Sequence, residues 1–482
     1  MQITLESLGA AGTVTGSKHL LTTPDLRILV DCGLFQGIKS LRARNWSPLP
    51  VSASSIDVVL LTHAHLDHCG YIPLLVKQGF KGKIYANEAT VELSKLILLD
   101  SAKLQEEEAA NANRLRYSKH RPAKPLYTLA EARSSFKYFN TVKENVSLYL
   151  NSNCSAIFRL AGHILGACSV SINCYGRHIL FSGDIGNSKS LILPPPFANE
   201  QADYVVMEST YGDRLHPDED IFTVIAEQIN QTIANGGNVI VPSFAVGRAQ
   251  ELVYVMYILK NQNRIPSWLP IVLDSPMGAS ATEITMRFSD KYLSVVRETW
   301  EQIIGKVRVN QKFSDTIKTL NDQNPKVIIA ASGMLTGGRV LEYLKHDLEN
   351  PDSTILIIGY QAVGTRGRAL INGTHELKIH GRYYTVRAKV VEVAGLSAHA
   401  DQLGLIGWLG HINPRPKLVM LVHGEPCALE ALRVKINSGI DTQVKVLEPE
   451  QEIQLFEIAD ASNDQNNKNQ LVPNSDNPFA RI

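Results

Sequence analysis

Over the N-terminal part of the chain, apolar residues come in short runs at 26–30, 58–61, 83–86, 156–160 and 178–181, each broken by Gly, Pro, Asn or Asp. Runs of this length and punctuation predict strands. Each stops close to a side chain that can do chemistry. Between Asn87 and Tyr138 the apolar positions recur at helical spacing instead, and Glu106-Glu107-Glu108 predicts a solvated helix face. After Pro194-Pro195-Pro196 the run 204–207 predicts a further strand ending at Glu208.

From about 220 the rhythm changes. A helix to Ala234, a strand 238–241, a helix 247–260 and a strand 270–273 are followed by strands 326–330 and 354–358 with a helix between them. Such alternation predicts parallel βαβ units. Short strands resume at 389–393 and 417–422, leading to His399 and His423, and the Asn-, Asp- and Gln-rich tail from 459 is expected to be disordered. No internal repeat is evident.

A chain of 482 residues exceeds one ordinary core and predicts two or three domains. Hydrophobic residues at 44%, charged residues at 20% and a net charge of +1 describe an ordinary globular protein, so any polyanion site must be local. No apolar run reaches the roughly eighteen residues of a membrane span. The N-terminus lacks the basic start and apolar stretch of a secretory signal, so the expected location is cytoplasmic, with no membrane partner. Six cysteines without CxxC spacing predict neither a zinc ribbon nor a disulfide framework.

The densest chemistry lies at 63–68, His-Ala-His-Leu-Asp-His. In an extended segment His63 and His65 project to one side and can hold one ion together, while Asp67 and His68, at the following turn, can face a second. Two ions need more donors than this cluster supplies. His163, Asp184 and His423 each stand at the end of a predicted strand beside glycine, and the Asp184 carboxylate could bridge both ions. Small-residue loops follow two strands of the second region, Ser243-Phe244-Ala245-Val246-Gly247-Arg248 and Ser332-Gly333-Met334, and suit contacts to phosphate. Neither is a nucleotide-binding P-loop. Arg366 and Arg368, interleaved with glycine, approach either phosphate or a neighbouring domain.

The order Asp31, His63-x-His65-x-Asp67-His68, His163, Asp184 resembles the metallo-β-lactamase superfamily. Glu208 in Glu-Ser-Thr-Tyr-Gly, His399 in Ser397-Ala398-His399-Ala400-Asp401 and His423 in Val-His-Gly-Glu resemble its β-CASP branch, which includes the mRNA 3′-end-processing endonuclease and its bacterial and archaeal relatives. The resemblance implies an α/β protein: a four-layer αββα metallo-β-lactamase domain from 1–208 and 392–458, with an α/β β-CASP domain inserted at 209–391. It implies two Zn2+ ions per chain, one held by His63, His65 and His163, the other by Asp67, His68 and His423, with Asp184 bridging. Asp31 then orients a histidine ligand from behind, and His399, oriented by Glu208, serves as general acid.

The implied activity is a zinc-dependent ribonuclease that hydrolyses single-stranded RNA by metal-activated hydroxide, leaving 5′-phosphate and 3′-hydroxyl ends, in RNA processing or decay. Endonucleolytic cleavage is expected; a 5′–3′ exoribonuclease, a DNA nuclease and a thioester or lactam hydrolase are the alternatives. RNA is favoured because a histidine at position 423 is typical of RNA-acting members, and because Gly359-Tyr360-Gln361-Ala362-Val363-Gly364-Thr365-Arg366-Gly367-Arg368 resembles the branch's RNA-specificity signature. Ser243, Arg248, Ser332, Gly333, Arg366, Arg368 and Ser397 are the candidate phosphate contacts. With no domain ahead of Met1 of the kind larger relatives carry, substrate choice is expected to lie in the cleft or in a partner, whether a second copy in a homodimer or an RNA-processing complex.

Overall fold

The computed structural model describes residues 1–116, 120–198 and 201–458, so the tail expected to be disordered lies outside the described residues. Among these, strands form two seven-stranded sheets, one six-stranded sheet and a hairpin. The first sheet runs Glu452–Glu457, Gln2–Gly9, Lys18–Thr22, Arg27–Val30, Val58–Leu60, Lys83–Asn87, Phe139–Val142. The second runs Gln443–Val446, Leu418–Leu421, Tyr204–Met207, Arg177–Phe181, Cys168–Cys174, Cys154–Leu160, Leu148–Tyr149.

Strand alternation builds the layers. Ile28 and Val30 point inward with Ile3, Leu5, Val58 and Leu60, meeting Phe158, Val170, Ile172, Phe181 and Val206 of the facing sheet. Leu29, Val59 and Ile84 point the other way, onto the helix Glu88–Leu115. On the far side Val205, Met207, Val419 and Leu421 receive Leu405 and Leu409 from Gln402–Gly410, and Leu432 and Ile436 from Pro426–Gly439. The result is the expected αββα order.

The helical region expected over 87–138 is two α-helices. Glu88–Leu115 starts at Asn87, whose side chain accepts from Ala89 N–H, and Leu129–Ser135 starts at a capping box between Thr128 and Glu131. Of the acidic cluster, Glu107 and Glu108 are exposed, but Glu106 accepts from Leu129 N–H and ties the two helices together.

The inserted sheet runs Arg308–Val309, Ile271–Asp274, Val327–Ala330, Val239–Pro242, Thr354–Ile358, Lys389–Val393, with every pairing parallel. Its four central strands are buried throughout, as a sheet covered on both faces requires. The last strand, Lys389–Val393, spans the expected boundary at 391 and pairs over its whole length with Thr354–Ile358, at the edge of the inserted sheet. A short run of this kind fits either sheet, and only strand order decides between them. Five cysteines are buried and Cys427 is exposed; all six are free thiols, with Cys154 Sγ and Cys174 Sγ 3.2 Å apart across adjacent strands. Among the described residues, no helix is long and apolar enough to cross a membrane.

Candidate metal centre

The candidate residues stand just past the C-terminal ends of strands that share one end of the sandwich. Asp31 follows Arg27–Val30, His63 to His68 follow Val58–Leu60, and His163 follows Cys154–Leu160; Asp184, Glu208 and His423 follow Arg177–Phe181, Tyr204–Met207 and Leu418–Leu421. Asp67 and His68 sit on the short helix Leu66–Cys69, whose turn rotates them away from His63 and His65. Asp31 and His423 have left-handed backbones, with φ of 61° and 48°. For residues other than glycine these are uncommon conformations, held where the surroundings over-determine them. His423 N–H donates to Ala10 O at 2.6 Å, and Asp31 N–H to Leu60 O at 3.0 Å.

Among the described residues two histidine-rich donor clusters result, each with all its ligand atoms within 4.8 Å of one another: His63, His65, His163 and Asp184, and Asp67, His68 and His423; Asp184, Glu208 and His399 form a third group beside them. In the first, His65 Nδ1 lies 3.2 Å from His63 Nε2 and 3.1 Å from His163 Nε2, and Asp184 Oδ2 lies 3.4 Å from each of those Nε2 atoms. In the second, His68 Nε2 lies 3.3 Å from His423 Nε2, and His423 Nε2 lies 3.6 Å from Asp67 Oδ2. Asp184 Oδ1 reaches toward this cluster, 3.3 Å from His68 Nε2. One carboxylate therefore faces both groups.

Groups behind the rings set which nitrogen carries the proton. Asp31 accepts from His68 Nδ1 at 2.8 Å. Thr62 Oγ1 donates to Asp31 and so accepts from His63 Nδ1 at 3.1 Å. Thr210 Oγ1 donates to His423 O and accepts from His423 Nδ1 at 3.1 Å, and Ala398 O takes His163 Nδ1 at 3.4 Å. Each arrangement leaves an Nε2 lone pair pointing into the site. Lone pairs meeting at these separations repel unless a cation lies between them. Burial keeps His63 and His163 well below the usual imidazole range and lowers His65 to about 4. Burial opposes charge on Asp184 as well, yet His423, His68 and His63 hold it well below the carboxylate range. Although burial disfavours its charge, His68 is raised well above the imidazole range by the Asp184 and Asp31 carboxylates. Neutral His63, His65 and His163 beside an ionised carboxylate are a donor set for a borderline divalent metal. Asp184 Oδ1 is buried without a hydrogen-bond partner, and an unpaired polar atom is costly unless something else satisfies it. The residues fit a metal site.

Beside the clusters, His399 Nδ1 lies 3.0 Å from Glu208 Oε1, and His399 Nε2 lies 4.0 Å from Asp184 Oδ2. Glu208 is fully buried, accepting from Ile185 N–H at 2.6 Å and Thr210 N–H at 3.1 Å. Although burial disfavours its charge, His399 is raised above the usual range by the Glu208 carboxylate. Ser397 Oγ accepts from His399 N–H, and His216 Nε2 hydrogen-bonds His399 O.

Among the phosphate candidates, the arginines are engaged within the protein. Arg248 is buried, its guanidinium bound to Glu251 and Leu396 O. Arg366 donates to Lys378 O and Leu335 O, and Arg368 to Gln361 O and Glu425. Ser243 and Ser397 are buried as well, whereas Ser332, on the loop that carries Gly333, accepts from Thr336 and Gly337 N–H. These arginines join segments of the protein, because carbonyls left free at loop ends need donors. Sequence reasoning missed Thr62, Thr210 and His216; Thr62 directly precedes His63 and Thr210 lies within the Glu208 motif, which is the signal that could have found them.

Residues 14–228 match the profile of the metallo-beta-lactamase superfamily, 249–370 that of the Beta-Casp domain, and 383–447 that of the Zn-dependent metallo-hydrolase RNA specificity domain. The chain is 36% identical over 430 residues to ribonuclease TTHA0252 of Thermus thermophilus, covering 88% of this chain and 94% of that protein. It is 30% identical over 442 residues to transcription termination factor FttA of Methanocaldococcus jannaschii, covering 88% of this chain and 67% of that protein. A crystal structure of a protein of unknown function from Enterococcus faecalis shares the fold, with a TM-score of 0.53 at 14% identity over 94% of this chain and 100% of the other. The protein is thus a metal-dependent hydrolase of the metallo-β-lactamase superfamily. Within it, the chain belongs to the β-CASP ribonucleases.

Proposed function

We propose that the protein is a zinc-dependent endoribonuclease that cleaves single-stranded RNA in cytoplasmic RNA processing or decay, leaving 5′-phosphate and 3′-hydroxyl ends. The observation that carries this reading is the Asp184 carboxylate, facing two complete donor clusters with the His399–Glu208 pair beside it. His63, His65 and His163 would hold one zinc, and Asp67, His68 and His423 the other, with Asp184 shared. Bound zinc supplies Lewis acidity toward the phosphodiester and brings water to ionise near neutrality.

The chain's own residues do the rest. His399 Nε2, on the open side of Asp184, protonates the departing 3′-oxygen as the P–O3′ bond breaks, and Glu208 keeps the proton on Nδ1 and the ring in place. The oxygen gained from water remains on phosphorus as a 5′-phosphate. His65, Asp67 and His399 are half-buried while the other donors are buried, and Phe244 of the inserted domain stands against His65, which favours access along the seam with that domain. Glu425 spans that seam, accepting from Tyr360 Oη at 2.6 Å and Arg368 at 3.2 Å. A seam joined across in this way favours an extended single strand over a duplex.

The test is purified protein of measured metal content, incubated with 5′-labelled and internally labelled RNA, a matched DNA strand, and ester and thioester panels. About two zinc ions per chain and internal cuts in RNA ending in 5′-phosphate are expected. Mononucleotides released from the 5′ end would replace the endonuclease with an exonuclease, and turnover of thioesters alone would overturn the reading.

A further inference from the structure

One aromatic ring at the site has no part in binding metal or moving protons. Phe244 follows the strand Val239–Pro242 in the middle of the inserted sheet, and its ring centroid lies 6.0 Å from that of His65, tilted by 45°. It is half-buried. Behind it, a Cβ on Gly333 would stand 2.6 Å from Phe244 Cδ2 and 2.8 Å from Phe244 N, so only glycine there lets the ring settle. His65 is also half-buried, so the two rings share the wall where the first donor cluster opens.

We propose that Phe244 stacks on a nucleobase of the RNA next to the scissile phosphate, on the His65 side of the site. The inference rests on the ribonuclease reading and deepens it. A phenyl ring offers no ligand, donor or acceptor to the reaction; what it offers is a π-face and apolar area. Every base has such a face, so the contact tolerates sequence, but a base inside a duplex already has its faces covered by its neighbours. The ring therefore selects for an unpaired nucleotide at the position being cut. Because it comes from the inserted domain while His65 comes from the sandwich, base and phosphate are gripped by different halves of the molecule.

The test compares wild type, Phe244→Leu and Phe244→Trp on one RNA and on the same RNA made abasic at the nucleotide on either side of the cut. Phe244→Leu retains apolar bulk but lacks the aromatic face; its zinc content and melting temperature should match wild type, while kcat/KM falls about tenfold. Phe244→Trp should stay close to wild type. Wild type should lose a similar factor at one of the two abasic positions, and Phe244→Leu should lose nothing more there. Equal kcat/KM for wild type and Phe244→Leu, or an abasic penalty that persists undiminished in the variant, would overturn the stacking role while RNA cleavage by wild type leaves the ribonuclease reading intact. No RNA cleavage by wild type would overturn both.

Discussion

At the scale of single residues, the rings of His63, His68, His163, His399 and His423 each have a fixed partner behind them. His399 touches no donor cluster through Nδ1, which Glu208 occupies, so its loss should leave metal binding alone. His399→Ala is expected to keep the wild-type zinc content while kcat falls by about 10²–10⁴-fold; a wild-type rate would remove it from the proton transfer. Thr210 acts only through His423. Thr210→Val keeps the shape but leaves His423 Nδ1 without its acceptor, and metal affinity at the Asp67, His68 and His423 cluster should weaken by about 10–100-fold, read by competition with a chelating dye. The His63–His68 run was legible because four donor side chains in six positions have little other use, whereas Asp31 was legible only through the resemblance. Thr62 and Thr210 were not, since a threonine beside a histidine is commonplace until its hydroxyl is seen to be engaged on both sides.

Among elements, close approach governs. The turn after Arg27–Val30 runs against the helix Leu66–Cys69, and Cys32 N–H donates to His68 O at 2.7 Å. A Cβ on Gly33 would lie 1.5 Å from Asp67 O, so Gly33→Ala must push the two segments apart. We expect a loss of about 1–3 kcal/mol in stability, measured by urea unfolding, together with weaker metal binding; an unchanged protein would show that the turn yields freely. Lys18 braces the same turn from below, its buried ammonium donating to Gly16 O and Gly33 O at 3.0 and 2.6 Å, with burial lowering its pKa to about 8. The strands that were read fall within a residue or two of their observed bounds because their apolar runs are short and sharply bounded, whereas Gln2–Gly9, Lys18–Thr22, Cys168–Cys174, Gln443–Val446 and Glu452–Glu457 were not read. Which sheet Lys389–Val393 joins was not readable either, because a strand carries no mark of its neighbour.

For the molecule as a whole, the two donor clusters draw on both sheets, and His423 arrives only after the inserted domain has returned the chain. Metal should therefore bind the folded state alone. Stripping it with a chelator should lower the melting temperature, by an amount equivalent to about 3–4 kcal/mol when free metal had stood at 100–1,000 times its dissociation constant; an unchanged transition would mean that the sites carry no folding energy. Closure of the seam rests on Glu425, which gathers Tyr360 Oη, Val363 N–H and Arg368. Glu425→Ala leaves those donors unpaired, so hydrogen exchange over 359–368 should speed up and stability should fall by about 1–3 kcal/mol, with zinc content retained.

The αββα layers and the inserted domain were legible only through the resemblance to the β-CASP branch. The chain's own pattern was enough for the strand–helix alternation after 220, the strand-end placement of the candidate donors and the split of His63 and His65 from Asp67 and His68, which follow from local spacing: period two along strands, alternation of elements, and a turn after His65 that changes facing. Only the tertiary structure decided that Asp184 looks both ways, that Arg248, Arg366 and Arg368 are engaged by Glu251, Glu425 and backbone carbonyls, and that Phe244 leans on His65 through the space Gly333 leaves. Those outcomes depend on which distant segments meet, and a side chain's partner is chosen by packing across the seam, which no local run of sequence records.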